Sequence, residues 1–133
     1  MPEISFKPKT CGIVDERGEI AAMYKGIPQN DIGKNSDVID NSSKFDGIKM
    51  LIRSMSPQII VCDEIGSTED IEAIQKATCS GVKGIFTVHS SSIEEIMQTP
   101  NLRKIIDSKL IQRIIILDPI NKGKIKEYWT LTI

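Results

Sequence analysis

Four short apolar runs, each ending in a charged or titratable residue, limit the folds open to this chain more than any other feature. They are Cys11-Gly12-Ile13-Val14 before Asp15-Glu16-Arg17, Ile59-Ile60-Val61-Cys62 before Asp63-Glu64, Gly84-Ile85-Phe86-Thr87-Val88 before His89, and Ile114-Ile115-Ile116-Leu117 before Asp118. Unbroken runs this short and this rich in Ile and Val predict strands covered on both faces, as in a parallel sheet. Parallel strands need crossovers, and helical patterns fill the intervals. Phe45, Ile48, Leu51, Ile52 and Met55 follow a helical period that Ser56-Pro57 stops. Ser67-Thr68-Glu69-Asp70 reads as a capping box with Asp in place of Glu or Gln, opening a helix with Ile71, Ile74 and Ala77 inward and Gly81 at its close. Ser91-Ser92 opens a short helix, and Thr99-Pro100 starts another with Pro at its favoured first position. After the turn-like Asn121-Lys122-Gly123-Lys124, residues 125–133 alternate, apart from Glu127, as an antiparallel edge strand does. The class is α/β, in one domain over residues 1–133, a length that leaves little room for a second. Residues 19–42 carry no sustained period and predict a long loop, either functional or simply mobile.

Charge and cysteine usage exclude several function classes. Seventeen basic against 18 acidic side chains give a net charge of −1, so no basic field holds nucleic acid or an anionic membrane. No apolar run approaches the roughly 18–20 residues that span a bilayer, and the amino end lacks the apolar core of a signal peptide. Cys11, Cys62 and Cys79 are odd in number and far apart, which argues against a disulfide scaffold or a zinc knuckle. Reduced thiols in a cytoplasmic protein are the expectation.

Ligands of open α/β sheets bind at the carboxyl ends of the strands, which is where Asp63 and Glu64 fall. One carboxylate there can hold hydrated magnesium, and its neighbour can orient a water for attack on phosphorus. This is the Walker B arrangement with an added catalytic glutamate. The plainer alternative, Asp63 capping a turn and Glu64 merely solvated, has similar weight. Asp15-Glu16 ends a second strand in the same way, and two carboxylate pairs in one crevice call for a cation to share them. His89 ends a third strand within reach of a γ-phosphate, although a lone histidine there is more often an ordinary surface residue. A phosphate loop of the form GxxxxGKS/T is missing. The nearest imitation, Gly26 to Ser36, separates its glycines by six residues and follows the lysine with Asn35, with no strand leading in and no helix leading out.

Several strings together resemble the stage III sporulation protein AA family, RecA-like ATPases related to secretion ATPases. They are Ile13-Val14-Asp15-Glu16-Arg17-Gly18-Glu19-Ile20-Ala21, Asp31-Ile32-Gly33, Asp37-Val38-Ile39-Asp40, and Met50-Leu51-Ile52-Arg53-Ser54-Met55-Ser56-Pro57 followed by Ile59-Ile60-Val61-Cys62-Asp63-Glu64-Ile65-Gly66. The resemblance implies a P-loop NTPase fold whose first βα unit, with the phosphate loop, lies before the first of these strings. It makes Asp63 the magnesium-side acid (through water), Glu64 the water-activating residue and Glu16 a second catalytic acid. Asp15, Thr87 and His89 become nucleotide-sensing residues, and Arg17 and Arg53 candidate arginine fingers across a subunit boundary. Magnesium and ATP belong to the complete protein, with neither held tightly by this chain alone. The implied partners are further copies, as a ring hexamer, and membrane-bound channel proteins between mother cell and forespore. Membrane contact would come only through those partners.

In RecA-like proteins the phosphate-loop strand lies between the strands read here at 84–88 and 112–117. Without it two edges stay unpaired; either the 112–117 strand closes the gap within one chain or a second copy fills it, and a dimer or larger assembly is expected. Two other readings compete: a non-catalytic assembly module, and more weakly a receiver-type phosphate-sensing domain.

Overall fold

Helix ends in this chain are written in short polar residues. Ser43 accepts the N–H of Asp46 to open the first helix, and Ser67 with Asp70 completes a reciprocal capping box at the second. Ser92 accepts the N–H of Glu95 at the third, and Pro100 opens the fourth. Residues 9–131 are described by a computed structural model. Its elements in chain order are β1 (Cys11–Asp15), β2 (Met23–Tyr24), β3 (Ile27–Pro28), β4 (Ser36–Asp40), α1 (Lys44–Met55), β5 (Ile59–Cys62), α2 (Thr68–Cys79), β6 (Lys83–Phe86), α3 (Ile93–Gln98), α4 (Pro100–Asp107), β7 (Arg113–Leu117) and β8 (Ile125–Thr130).

The parallel sheet runs β4-β1-β5-β6, with β1 and β5 at its centre. Crossovers β4-α1-β5 and β5-α2-β6 advance in one direction, so right-handedness puts both helices on one face, where α1 packs against α2 and β1. Contact there is close. A Cβ at Gly47 of α1 would lie 2.8 Å from Val14 Cγ1, and one at Gly12 would lie 3.0 Å from Leu51 Cδ1. The buried core joins Val14, Ile60 and Cys62 of the sheet to Ile48, Leu51, Ile71 and Ile74 of these helices.

Three expectations need correction. Residues 19–42 are not a plain loop: they hold the small antiparallel β2-β3 pair and the edge strand β4, in parallel register with β1. The sheet is covered by helices on one face, and Val61 and Ile85 on the other are half-buried and exposed. The third strand ends at Phe86, so Thr87, Val88 and His89 lie past it.

β7 and β8 form a separate antiparallel ribbon, as the alternation of the tail predicts; residues 132–133 lie outside the described ones. β6 and β7 are not paired with each other, and among the described residues the outer edge of each is open. No helix among them is long and apolar enough to cross a membrane.

Candidate functional site

Parallel register decides where the acids meet. Val14 pairs with Cys62, so the next residues, Asp15 and Asp63, leave the sheet side by side. Both are buried, and both carboxylates are spent on backbone amides. Asp15 accepts N–H groups from Glu19 (2.9 Å), Ile20 (3.2 Å) and Ala21 (2.8 Å), which folds the following loop back over the strand end. Asp63 accepts from Glu16 (3.2 Å) and Arg17 (2.9 Å), tying β5 to the loop after β1. A buried carboxylate needs such partners, and amides supply them without a counter-charge. Asp15, expected to sense nucleotide, thus faces its own loop. Asp63, expected to reach magnesium only through water, ties down the loop after β1.

The second acid of each pair points the other way. Glu16 is exposed and meets Lys44 Nζ at 2.5 Å. Glu64 is half-buried; Arg17 forms an ion pair with its Oε2, and His89 Nε2 lies 3.8 Å from the same oxygen. That oxygen is shielded from water and accepts no well-aligned hydrogen bond. Thr87 fixes the Glu64 backbone: its Oγ1 accepts the Glu64 N–H (2.9 Å), and its carbonyl accepts the Ile65 N–H (2.9 Å).

One end of the sheet therefore gathers Asp15, Glu16, Arg17, Asp63, Glu64, Thr87 and His89. Arg53 is not among them. It lies in the last turn of α1, at the opposite end of that helix from Lys44, and is exposed.

Lys44 escaped the sequence reading. It is the first residue of α1, only 4% exposed, with Nζ also 3.9 Å from Asp63 Oδ1. Burial alone would lower its pKa, but the Glu16 hydrogen bond and the charges of Asp70, Glu16 and Asp63 outweigh it and hold the pKa above the ordinary lysine value. One signal was available: a cation in the first turn of a helix opposes the helix dipole and needs a reason. Cys62, beneath this cluster, is pushed up to about 12 by burial, so it carries no thiolate chemistry near neutrality.

The described residues hold no group of three ligating side chains suited to a metal. With Asp63 spent on amides and a lysine beside it, they do not build a cage for a directly bound ion. A recess of about 410 Å³, lined by Ser56, Pro57, Gly81 and Lys83 among others, lies where α1 and α2 end and includes none of the acids.

The sequence model of the family described as sporulation stage III, protein AA, matches residues 4–130. The chain belongs to that family. Stage III sporulation protein AA of Bacillus subtilis (strain 168) is 42% identical to it over 106 residues, 80% of this chain and 34% of that protein. This family member thus spans about a third of the length of the curated relative. Two solved structures share the fold. The Legionella pneumophila ATPase DotB aligns with a TM-score of 0.51 at 19% identity, over 78% of this chain and 27% of that one. The pilus retraction motor PilT with bound ADP aligns with a TM-score of 0.58 at 20% identity, over 94% and 40%. The mostly parallel, RecA-like sheet of this family member is the fold that it shares with these two proteins.

Proposed function

We propose that this chain is the carboxyl-terminal, Walker B side of an ATP site in a larger sporulation ATPase that energises a channel between mother cell and forespore. One observation carries the reading. Glu64 stands half-buried at the end of a central parallel strand, with its backbone held by Thr87 and its carboxylate facing Arg17 and His89. A carboxylate so placed can take a proton from an attacking water, and the neighbouring Arg17 guanidinium can turn to phosphate charge as it develops. Asp15 and Asp63 hold the loop that carries Glu16 and Arg17, so they act on the geometry of the site.

The sequence offers no lysine and amide cradle for phosphates. ATP and magnesium are therefore gripped by other parts of the complete protein, which works as a ring of copies, a hexamer by family resemblance. Of the two candidate arginine fingers, Arg17 is paired with Glu64, and Arg53, exposed and apart from the acids, is the one placed to reach a neighbouring copy. This chain by itself should bind Mg-ATP weakly or not at all. Calorimetric titration checks that, and micromolar affinity would overturn it. In a chain that includes the phosphate loop, Glu64→Gln should nearly abolish hydrolysis with nucleotide binding intact, since the amide keeps the shape but cannot act as a base. Turnover near the wild-type rate would move the role to Glu16.

A second reading, an assembly module that contacts ring neighbours or membrane-bound channel proteins, draws support from the open edges of β6 and β7 and the exposed apolar residues around them. It predicts no loss of partner binding in Glu64→Gln.

A further inference from the structure

Two acidic strand ends that converge need positive charge between them, and here the chain supplies its own. Lysines are rarely buried and disfavour the first turn of a helix, yet Lys44 is both buried and first in α1. Its Nζ lies 2.5 Å from Glu16 Oε2 and 3.9 Å from Asp63 Oδ1, so it bridges the ends of β1 and β5. Asp70 of α2 contributes a third negative charge nearby, and the Cys62 thiol lies within the same field. A divalent ion needs several oxygens converging with spare lone pairs. Asp15 and Asp63 are turned to three and two backbone amides, and Glu16 Oε2 is turned to the lysine, so their oxygens do not converge on one open point.

We propose that Lys44 is a positioning residue that stands in for a metal: its ammonium joins the two strand ends, aims Glu16 along the crevice, and keeps divalent cations off the Glu16–Asp63 pair. The inference rests on the ion-pair geometry and is independent of any hydrolytic role for Glu64.

Thermal unfolding and manganese titration followed by electron paramagnetic resonance test it on the whole chain. Both use millimolar magnesium or manganese against potassium chloride of matched ionic strength, because salt alone screens these charges. Wild type and Lys44→Arg should melt alike, with no response to divalent ions beyond the matched salt. Lys44→Met should melt lower, recover part of the loss with magnesium or manganese, and bind manganese on the order of tenfold more tightly than wild type, as removal of a neighbouring unit charge requires. Adding Glu16→Gln to Lys44→Met should remove both the stability loss and the metal response. A manganese site in wild type that Glu16→Gln removes would overturn the proposal. So would a Lys44→Met chain as stable as wild type and indifferent to metal. Should Lys44→Met not fold by itself, recovery of folding in the double variant supports the proposal, and its absence overturns it.

Discussion

β5 and β7 are made of nearly the same residues, Ile-Ile-Val-Cys and Arg-Ile-Ile-Ile-Leu, and end in very different surroundings. β5 lies between two parallel neighbours under two helices, and Ile60 and Cys62 are 1% and 0% exposed. β7 pairs on one side only. Ile116 reaches the interior at 6% exposure, whereas Ile115 and Leu117 remain 51% and 61% exposed, beside Tyr128 and Trp129 of an equally open β8. An apolar run therefore reports that a strand needs cover; it does not report where the cover comes from. For β5 the cover lies within these residues. For β7 the described residues do not supply it, and open apolar edges pair with what they meet.

The widest separation between the two regions should appear in stability. Ile60→Ala removes a fully buried side chain and should cost about 2–5 kcal/mol in urea unfolding. Ile115→Ala should stay within about 0.5 kcal/mol if the chain is monomeric. A large cost at Ile115 that shrinks on dilution would mean that a second copy covers β7. Light scattering over a dilution series addresses that directly. We expect a dimer or larger species, and Leu117→Lys should dissociate it by placing a charge on the apolar ribbon. A well-folded monomer at every concentration would remove the second copy from the comparison.

The smallest effect is on pH. Asp118 at the β7–β8 turn is held below the usual carboxylate range, first by the N–H of Asn121 and then by that of Ile120. A carboxyl with a depressed folded pKa contributes stability above its unfolded pKa and loses it as pH falls through the folded one. Amide resonances of Ile120 and Asn121 should therefore shift in the acid range below ordinary aspartate titration, while those of the β1–β5 interior stay still. Simultaneous movement of both regions would mean that they unfold as one unit.

The sequence made β1, β5 and α2 legible because each carries its pattern and its punctuation within the same short segment. β4 was not legible. In Ser36-Asp37-Val38-Ile39-Asp40 only two apolar residues stand among polar ones, and the strand is recognisable only through its register with β1. The acids at the candidate site could be located but not assigned. That Asp15 and Asp63 turn inward to amides depends on how the loop after β1 closes, which is a tertiary fact. Lys44 was hidden for the same reason: its carboxylate partners lie 28 and 19 positions away, and a lysine at a helix start otherwise reads as solvated.

At these strand ends each Asp-Glu pair has a division of labour with an evolutionary consequence. The first residue of each pair faces inward and holds the backbone, and the second faces the crevice. Loop geometry and the proposed chemistry thus rest on adjacent residues. Under the proposed role of Glu64, a lineage could give up the reaction by altering that residue and still inherit an intact scaffold, available for a new partner or a new task, whereas drift at Asp63 would loosen the loop that the scaffold holds.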